Sequence, residues 1–166
     1  MKEPIFEKDE QLKEETVKRI EKMKAEFTEP TIKLFDNTYK YDGIIAQSQI
    51  TFSSLCEHHQ VAFEGEATVA YIPGKYLTGL SKLARIVEFY LNPTLPTVQE
   101  KATQQIMEHL KETIIDAKGF AVIIKAKHNC VCYRGVKKPS TTSTSAVSGV
   151  FKDNPQTRHE LLSIIK

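Results

Sequence analysis

The sequence predicts a single α+β domain built on antiparallel strands. Three observations carry this. At 166 residues the chain has the size of one ordinary domain. Its periodic segments run helix, strands, two helices, strand and a short closing helix, without the regular β-α-β alternation that a parallel sheet requires. The strand candidates are rich in β-branched residues and end at turn residues such as Pro73-Gly74.

Residues 9–27 read as an amphipathic helix, with Leu12, Thr16, Ile20, Met23 and Phe27 recurring at steps of three and four. Residues 30–43 have no clean period and contain Pro30, Asp36-Asn37 and Asp42-Gly43, so they read as loop with room for a short strand. A strand is expected over 44–52. Over 61–72 a second is expected, where Ala67, Val69 and Tyr71 alternate with Glu66, Thr68 and Ala70. Residues 76–91 read as a helix with Leu80, Leu83, Val87, Tyr90 and Leu91 on one side, stopped by Asn92-Pro93. Residues 97–115 read as another, striped by Val98, Ala102, Ile106, Leu110 and Ile114. A long strand is expected over 119–133. The Ser/Thr tract at 139–148 reads as a flexible loop. Asn154-Pro155 has the cap and first-turn form that opens a helix over 155–165.

The formal net charge of +2 is too small to indicate a nucleic-acid partner. The apolar runs are too short to span a bilayer, and Met1-Lys2-Glu3-Pro4 opens into charged residues without a signal-peptide core. Three cysteines, two of them close to histidines, point away from a disulfide framework and toward metal chemistry in a reduced compartment, so cytoplasmic placement is expected.

The most informative stretch is Ser54-Leu55-Cys56-Glu57-His58-His59, with a second cluster at Lys127-His128-Asn129-Cys130. Cys56 and His59 are three residues apart, so one helical turn aims both the same way and leaves His58 pointing elsewhere. His128 and Cys130 share a face of the expected strand, and Cys132 lies on it about 7 Å further along. The economical set for zinc, a borderline-soft ion bound by Cys and His, is Cys56, His59 and Cys130. Three ligands leave a position for water, the mark of a catalytic site. Two other readings stay open on spacing: buried strand cysteines beside a polar turn, or a closed structural site with Cys132 or His128 as fourth ligand.

Ser81, Lys82 and Arg85 share one helix face, distinct from the apolar stripe. Arg19 and Lys22 share a face of the first helix, and Arg134 follows the second cluster by four residues. Each cation alone reads as solvated surface charge; several beside a metal suit a polyphosphate or polycarboxylate. Thr97-Val98-Gln99-Glu100 has the capping-box pattern, which makes Glu100 a helix cap. The alternative is a carboxylate accepting paired N–H donors from a purine-like ring.

These residues resemble GTP cyclohydrolase I. The resemblance runs from residue 44 to the C-terminus through Ser54-Leu55-Cys56-Glu57-His58-His59, Val69-Ala70-Tyr71-Ile72-Pro73 and Gly79-Leu80-Ser81-Lys82-Leu83-Ala84-Arg85-Ile86-Val87. It continues through Val98-Gln99-Glu100, His128-Asn129-Cys130, Arg134-Gly135-Val136, Gly149-Val150-Phe151 and Thr157-Arg158-His159-Glu160. It implies one domain over residues 1–166, with a shortened N-terminal helix and loop at 1–43 and a tunnelling-fold core at 44–166. In that fold sheets of several subunits join into a barrel, and the family forms decamers of two five-membered rings with active sites between subunits. The resemblance assigns zinc to Cys56, His59 and Cys130, and acid/base work to His58 and His128. It assigns the guanine edge to Glu100 with Gln99, and the triphosphate to Lys82, Arg85, Arg134, Arg19 and Lys22 with Ser81 assisting. The implied reaction opens GTP, releases formate and yields 7,8-dihydroneopterin triphosphate for folate, pterin or 7-deazapurine synthesis.

The chain departs from that pattern in places. Only 55 residues precede Cys56, so a reduced outer helical layer without a regulatory role is expected. The segment Asn92-Pro93-Thr94-Leu95-Pro96-Thr97 is slightly long and lacks an arginine, the Ser/Thr tract is about one residue short, and Gln60-Val61-Ala62-Phe63 lacks a proline common at the third place. Two other functions fit the same residues: a different tunnelling-fold enzyme acting on a pterin or deazaguanine, and a non-catalytic zinc-stabilised binding module.

Overall fold

Strand segments with β-branched, alternating side chains pair into the sheet that positions everything else. The computed structural model describes residues 10–165, the side chain of Gln11 apart; Met1-Lys2-Glu3-Pro4 lie outside the described residues. In order the elements are α1 (Glu10–Glu26), β1 (Leu34–Asp36), β2 (Ile45–Cys56), β3 (Ala62–Ile72), β4 (Tyr76–Thr78), α2 (Leu80–Tyr90), β5 (Pro96–Thr97) and α3 (Gln99–Thr113). They continue with β6 (Gly119–His128), α4 (Asn129–Cys132), β7 (Thr141–Gly149), α5 (Val150–Asp153) and α6 (Pro155–Ile164). The main sheet has the order β5-β2-β3-β6-β7, antiparallel throughout except for the two-residue pairing of β5 with β2; β1 and β4 form a separate small ribbon. The fold is α+β, as expected.

Four local expectations are corrected. Residues 76–78 are strand rather than helix, because they pair with β1 and the Thr78 N–H donates to the Tyr71 hydroxyl; the helix starts at Leu80, which is exposed, while Ile86 takes a core place. The strand expected to run to 133 stops at His128, paired with Phe63, and a helical turn begins at Asn129. The Ser/Thr tract is β7, paired with β6 from Thr141 to Gly149, since threonine's branched side chain suits a pleated surface. Thr97 does not cap α3: it belongs to β5, and Val98 occupies the N-cap position with no side-chain cap bond. The closing helix is as expected, with the Asn154 side chain accepting from the Gln156 and Thr157 N–H groups.

The register of β2 shifts by one between Gln47 and Ile50, a β-bulge at which Gln49 takes a positive φ of 57°. One extra residue reverses the alternation of the strand beyond it. Ahead of the bulge Gln47 lies opposite Val69; past it Phe52, Ser54 and, at the end, Cys56 are buried. This face is covered by α2 and α3. Leu83, Ile86 and Val87 of one helix and Ala102, Ile106 and Leu110 of the other pack on Phe63, Ala67, Val69, Tyr71, Val122 and Ile124. A smaller cluster of Ala70, Ile72 and Ala121 on the opposite face is closed by Phe151 and Leu161.

At Gly65 a Cβ would lie 2.0 Å from the Lys125 carbonyl oxygen and 2.7 Å from the Ala126 Cα. Neither backbone atom can yield without breaking the β3–β6 ladder. Gly65→Ala is therefore expected to destabilise the protein by about 1–3 kcal/mol, the usual range for overpacking. The check is the thermal or denaturant unfolding midpoint; an unchanged midpoint would show that the ladder accommodates the methyl.

Candidate metal centre

β2 and β6 both run antiparallel to β3, so their C-terminal ends reach the same edge of the sheet. The N-terminus of α3 lies at that edge too, because Thr97 pairs with Cys56 immediately before the helix begins. After Cys56 the chain turns tightly, with the Gln60 N–H donating to the Cys56 carbonyl at 2.8 Å and Gln60 at φ 53°. The Glu57 N–H donates to the Thr97 carbonyl, and the Lys101 ammonium meets the Glu57 carboxylate at 3.3 Å, so the turn is tied to α3.

The turn returns His59 Nδ1 to 3.6 Å from Cys56 Sγ, and α4 brings Cys130 Sγ to 3.9 Å from the same sulfur. The three ligand atoms lie within 4.8 Å of one another. Tetrahedral zinc, with Zn–S near 2.3 Å and Zn–N near 2.0–2.1 Å, requires S···S of about 3.8 Å and S···N of about 3.6 Å. The donor set and its spacing therefore fit such an ion. Cys130 reaches the cluster from a helical turn, not from the strand face inferred from its spacing. Among the described residues neither His128 nor Cys132 adds an atom to the cluster; Cys132 is buried. Burial and the adjacent Cys56 push the Cys130 thiol up, while Arg134 draws it back. A bound cation would override this, since a coordinating thiol is deprotonated outright.

His58 and His59 are exposed on the turn. His128 is half-buried, its ring stacked on Phe63 at 4.6 Å with an interplanar angle of 4°. Burial pushes its pKa down, and the Glu100 carboxylate partly restores it. Gln99 is buried, with its carboxamide engaged by protein: Nε2 donates to the Ile124 and Thr142 carbonyls and Thr144 Oγ1, and Oε1 lies 2.7 Å from His128 Nε2. Glu100 is exposed beside it. The cavity over the cluster has a volume of about 270 Å³ and is lined by Cys56, His58, His59, Glu100, His128 and Cys130 among others.

The cations divide. Arg134, exposed just past α4, lies close enough to act on Cys130. Lys82 and Arg85 instead line a separate cavity with Glu26, Glu29 and Glu88. Ser81, Arg19 and Lys22 are exposed on their helices and line neither cavity. Sequence reasoning missed Phe63, Thr103 and Thr144 as supports of the site; the alternation of Thr142 and Thr144 was the available signal, obscured by reading that tract as loop.

A model of the family described as GTP cyclohydrolase I matches residues 6–166. The GTP cyclohydrolase 1 of Aliivibrio salmonicida (strain LFI1238) is 45% identical over 138 residues, covering 82% of this chain and 62% of that protein. The GTP cyclohydrolase 1 of Synechococcus sp. (strain JA-3-3Ab) is 49% identical over 127 residues, covering 76% and 54%. The chain thus spans less than two thirds of the length of these curated relatives. A solved chain, the archaeosine synthase QueF-Like in its apo form, superposes on 63% of this chain and 93% of its own with a TM-score of 0.49 and 13% identity, too distant a likeness to carry an argument.

Zinc titration checks the ligand set. Cys130→Ser is expected to weaken metal affinity by more than the roughly 10–100-fold that loss of an outer partner costs. Cys132→Ser is expected to bind as the parent does; loss of the ion there would make Cys132 a fourth ligand.

Proposed function

The chain belongs to the GTP cyclohydrolase I family, and from that premise we propose that it is a zinc-dependent GTP cyclohydrolase. It hydrolyses GTP, opens the imidazole ring, releases formate and rearranges the product to 7,8-dihydroneopterin triphosphate. The observation that carries this reading is the cluster of Cys56, His59 and Cys130, with donor atoms within 4.8 Å of one another and with His58 and His128 beside them and outside the set. An open three-ligand site with adjacent imidazoles suits hydrolysis better than structural support.

Cys56, His59 and Cys130 hold the ion, which when bound supplies Lewis acidity that lowers the pKa of a water to about 7. Glu100 accepts the paired N–H donors of the guanine edge and, with Gln99 next to it, sets the base over the cavity. His128 protonates nitrogen 7, which makes carbon 8 a better electrophile. His58 assists later proton transfers as the ring opens and the ribose carbons reclose it. Arg134, Lys82, Arg85, Arg19 and Lys22, with Ser81, hold the triphosphate and so orient the base without joining the chemistry.

Two observations support an oligomer with shared sites, in this reading a tunnelling-fold barrel assembled as a decamer of two five-membered rings. The metal cavity, at about 270 Å³, falls below the ~300–1,000 Å³ usual for a complete ligand pocket. Lys82 and Arg85 face another cavity of the same chain, so they meet the triphosphate of a site whose metal belongs to a neighbour. No described helix is long and apolar enough to cross a membrane. The reading places the enzyme in the cytoplasm, at the first step of folate, pterin or 7-deazapurine synthesis.

Incubating the zinc-loaded protein with GTP, then measuring formate and the fluorescent oxidised pterin, tests the proposal; a metal-loaded protein that makes neither would refute it. His128→Ala is expected to keep its zinc and to lose roughly 10²–10⁴-fold in formate release, the usual share of a general acid. Arg85→Ala is expected to raise KM roughly 10–100-fold at unchanged metal content, since a charged hydrogen bond contributes about 1.5–3 kcal/mol.

A further inference from the structure

We infer that Gln99, held by β7 through Thr144, is a positioning residue that fixes His128 as the Nε2–H tautomer and leaves Nδ1 as the nitrogen that exchanges protons with substrate. The inference rests on the function proposed above for His128 and adds which atom acts and what selects it.

The hydrogen bonds around Gln99 admit one arrangement of protons. The Ile124 and Thr142 carbonyls can only accept, so the amide NH2 must face them, at 3.1 and 3.2 Å. Gln99 Oε1 then necessarily points the other way, to His128 Nε2 at 2.7 Å. An amide oxygen can only accept, so Nε2 carries the hydrogen. The hydroxyls agree. Thr103 Oγ1 donates to the Gln99 carbonyl at 2.7 Å, so its own lone pair accepts from the Thr144 hydroxyl at 2.7 Å. Thr144 Oγ1 is then left to accept from Gln99 Nε2 at 3.1 Å, sharing one of the two amide hydrogens with a carbonyl. No group is required to donate twice from one hydroxyl, and the two carbonyls alone forbid a flipped amide.

The tautomer of a histidine is set by the partner of its other nitrogen. Among the described residues no group hydrogen-bonds His128 Nδ1, and the ring lines the cavity beside Cys56 and Cys130. Stacking on Phe63 opposes a flip of the ring about its Cβ–Cγ bond, the rotation that would exchange the two nitrogens. When His128 gives up a proton, the N–H bond at Nδ1 breaks and a new N–H bond forms on the substrate nitrogen. The ring is left neutral with its remaining hydrogen on Nε2, already seated on Gln99 Oε1. No proton needs to move between ring nitrogens and no side chain needs to turn. The Ser/Thr tract thereby acquires a role beyond pairing: Thr142 supplies a carbonyl and Thr144 a hydroxyl that orient the amide.

Neutron diffraction from zinc-loaded crystals exchanged into D2O and held at about pH 8, above the ordinary histidine range, tests this directly. A deuteron on His128 Nε2 is expected, on the nitrogen that faces Gln99 Oε1; a deuteron on Nδ1 with none on Nε2 overturns the assignment. In solution, Gln99→Met is expected to lower kcat roughly 10–100-fold with zinc content close to the parent's. Unchanged kcat would refute the positioning role. If that variant does not fold, Thr144→Val is expected to lower kcat and Thr144→Ser to restore it; equal loss in both would assign Thr144 to packing and refute its part in positioning Gln99. The neutron result is independent of turnover. No formate with the deuteron on Nε2 would sink the enzymatic reading alone, and formate release with a deuteron on Nδ1 and none on Nε2 would sink this inference alone.

Discussion

Side-chain parity along β2 is the constraint on which the site depends. A strand alternates its side chains between faces, so a slip of one residue sends the whole set to the wrong side. The bulge at Ser48–Gln49 makes that slip deliberately, partway along the strand. Ahead of it the odd-numbered residues face the helices; beyond it Phe52, Ser54 and Cys56 do. On β6 the even-numbered residues Phe120, Val122, Ile124, Ala126 and His128 share that face through an unbroken register with β3. Cys56 and His128 therefore meet under α3 because one strand carries an extra residue and its neighbours do not.

The direction of the strands does the rest. β2 and β6 flank β3 and run opposite to it, so both end where β3 begins. Each then leaves the sheet in a tight turn, one carrying His59 and the other Cys130. The α3 N-terminus, fixed to the same edge by the pairing of Thr97 with Cys56, contributes Gln99 and Glu100. A metal site needs donors fixed within tenths of an ångström, and strand ends tied by short turns supply such rigidity better than long loops. The sulfurs are buried while the imidazole on the turn is exposed, which leaves the centre open toward the cavity and closed toward the core.

Charge is arranged differently from the metal donors. Arg134 stays with the centre because chain connectivity leaves it no choice. Lys82 and Arg85 stand on α2 across from the α1–β1 connection, among Glu26, Glu29 and Glu88. A single chain thus holds a metal cavity without most of its proposed phosphate ligands, and a cationic helix face without a metal. Under the proposed function these are two halves of neighbouring sites. The open edge of β7, paired on one side only among the described residues, is consistent with a sheet that continues into another subunit.

Much of this was legible in the residues. The helical period of 97–115 placed Ala102, Ile106, Leu110 and Ile114 in the core, where they are buried. Asn154-Pro155 marked the last helix, and the spacing of Cys56 and His59 set them side by side, because all of these are local consequences of side-chain geometry and capping. Cys130 lies in the cluster but reaches it from a helical turn and not from a strand face, since the end of β6 depends on where β3 stops offering a partner. Residues 76–78 and the Ser/Thr tract were misread because their strand state comes from β1 and β6, distant in sequence. The sequence by itself determined which residue types carry chemistry and which helices bury an apolar stripe. Only the tertiary structure decided the parity of β2, the inward turn of Gln99 and the separation of the cations from the metal centre. Each of these is a relation between segments far apart in the chain, set by register and packing that no local pattern encodes.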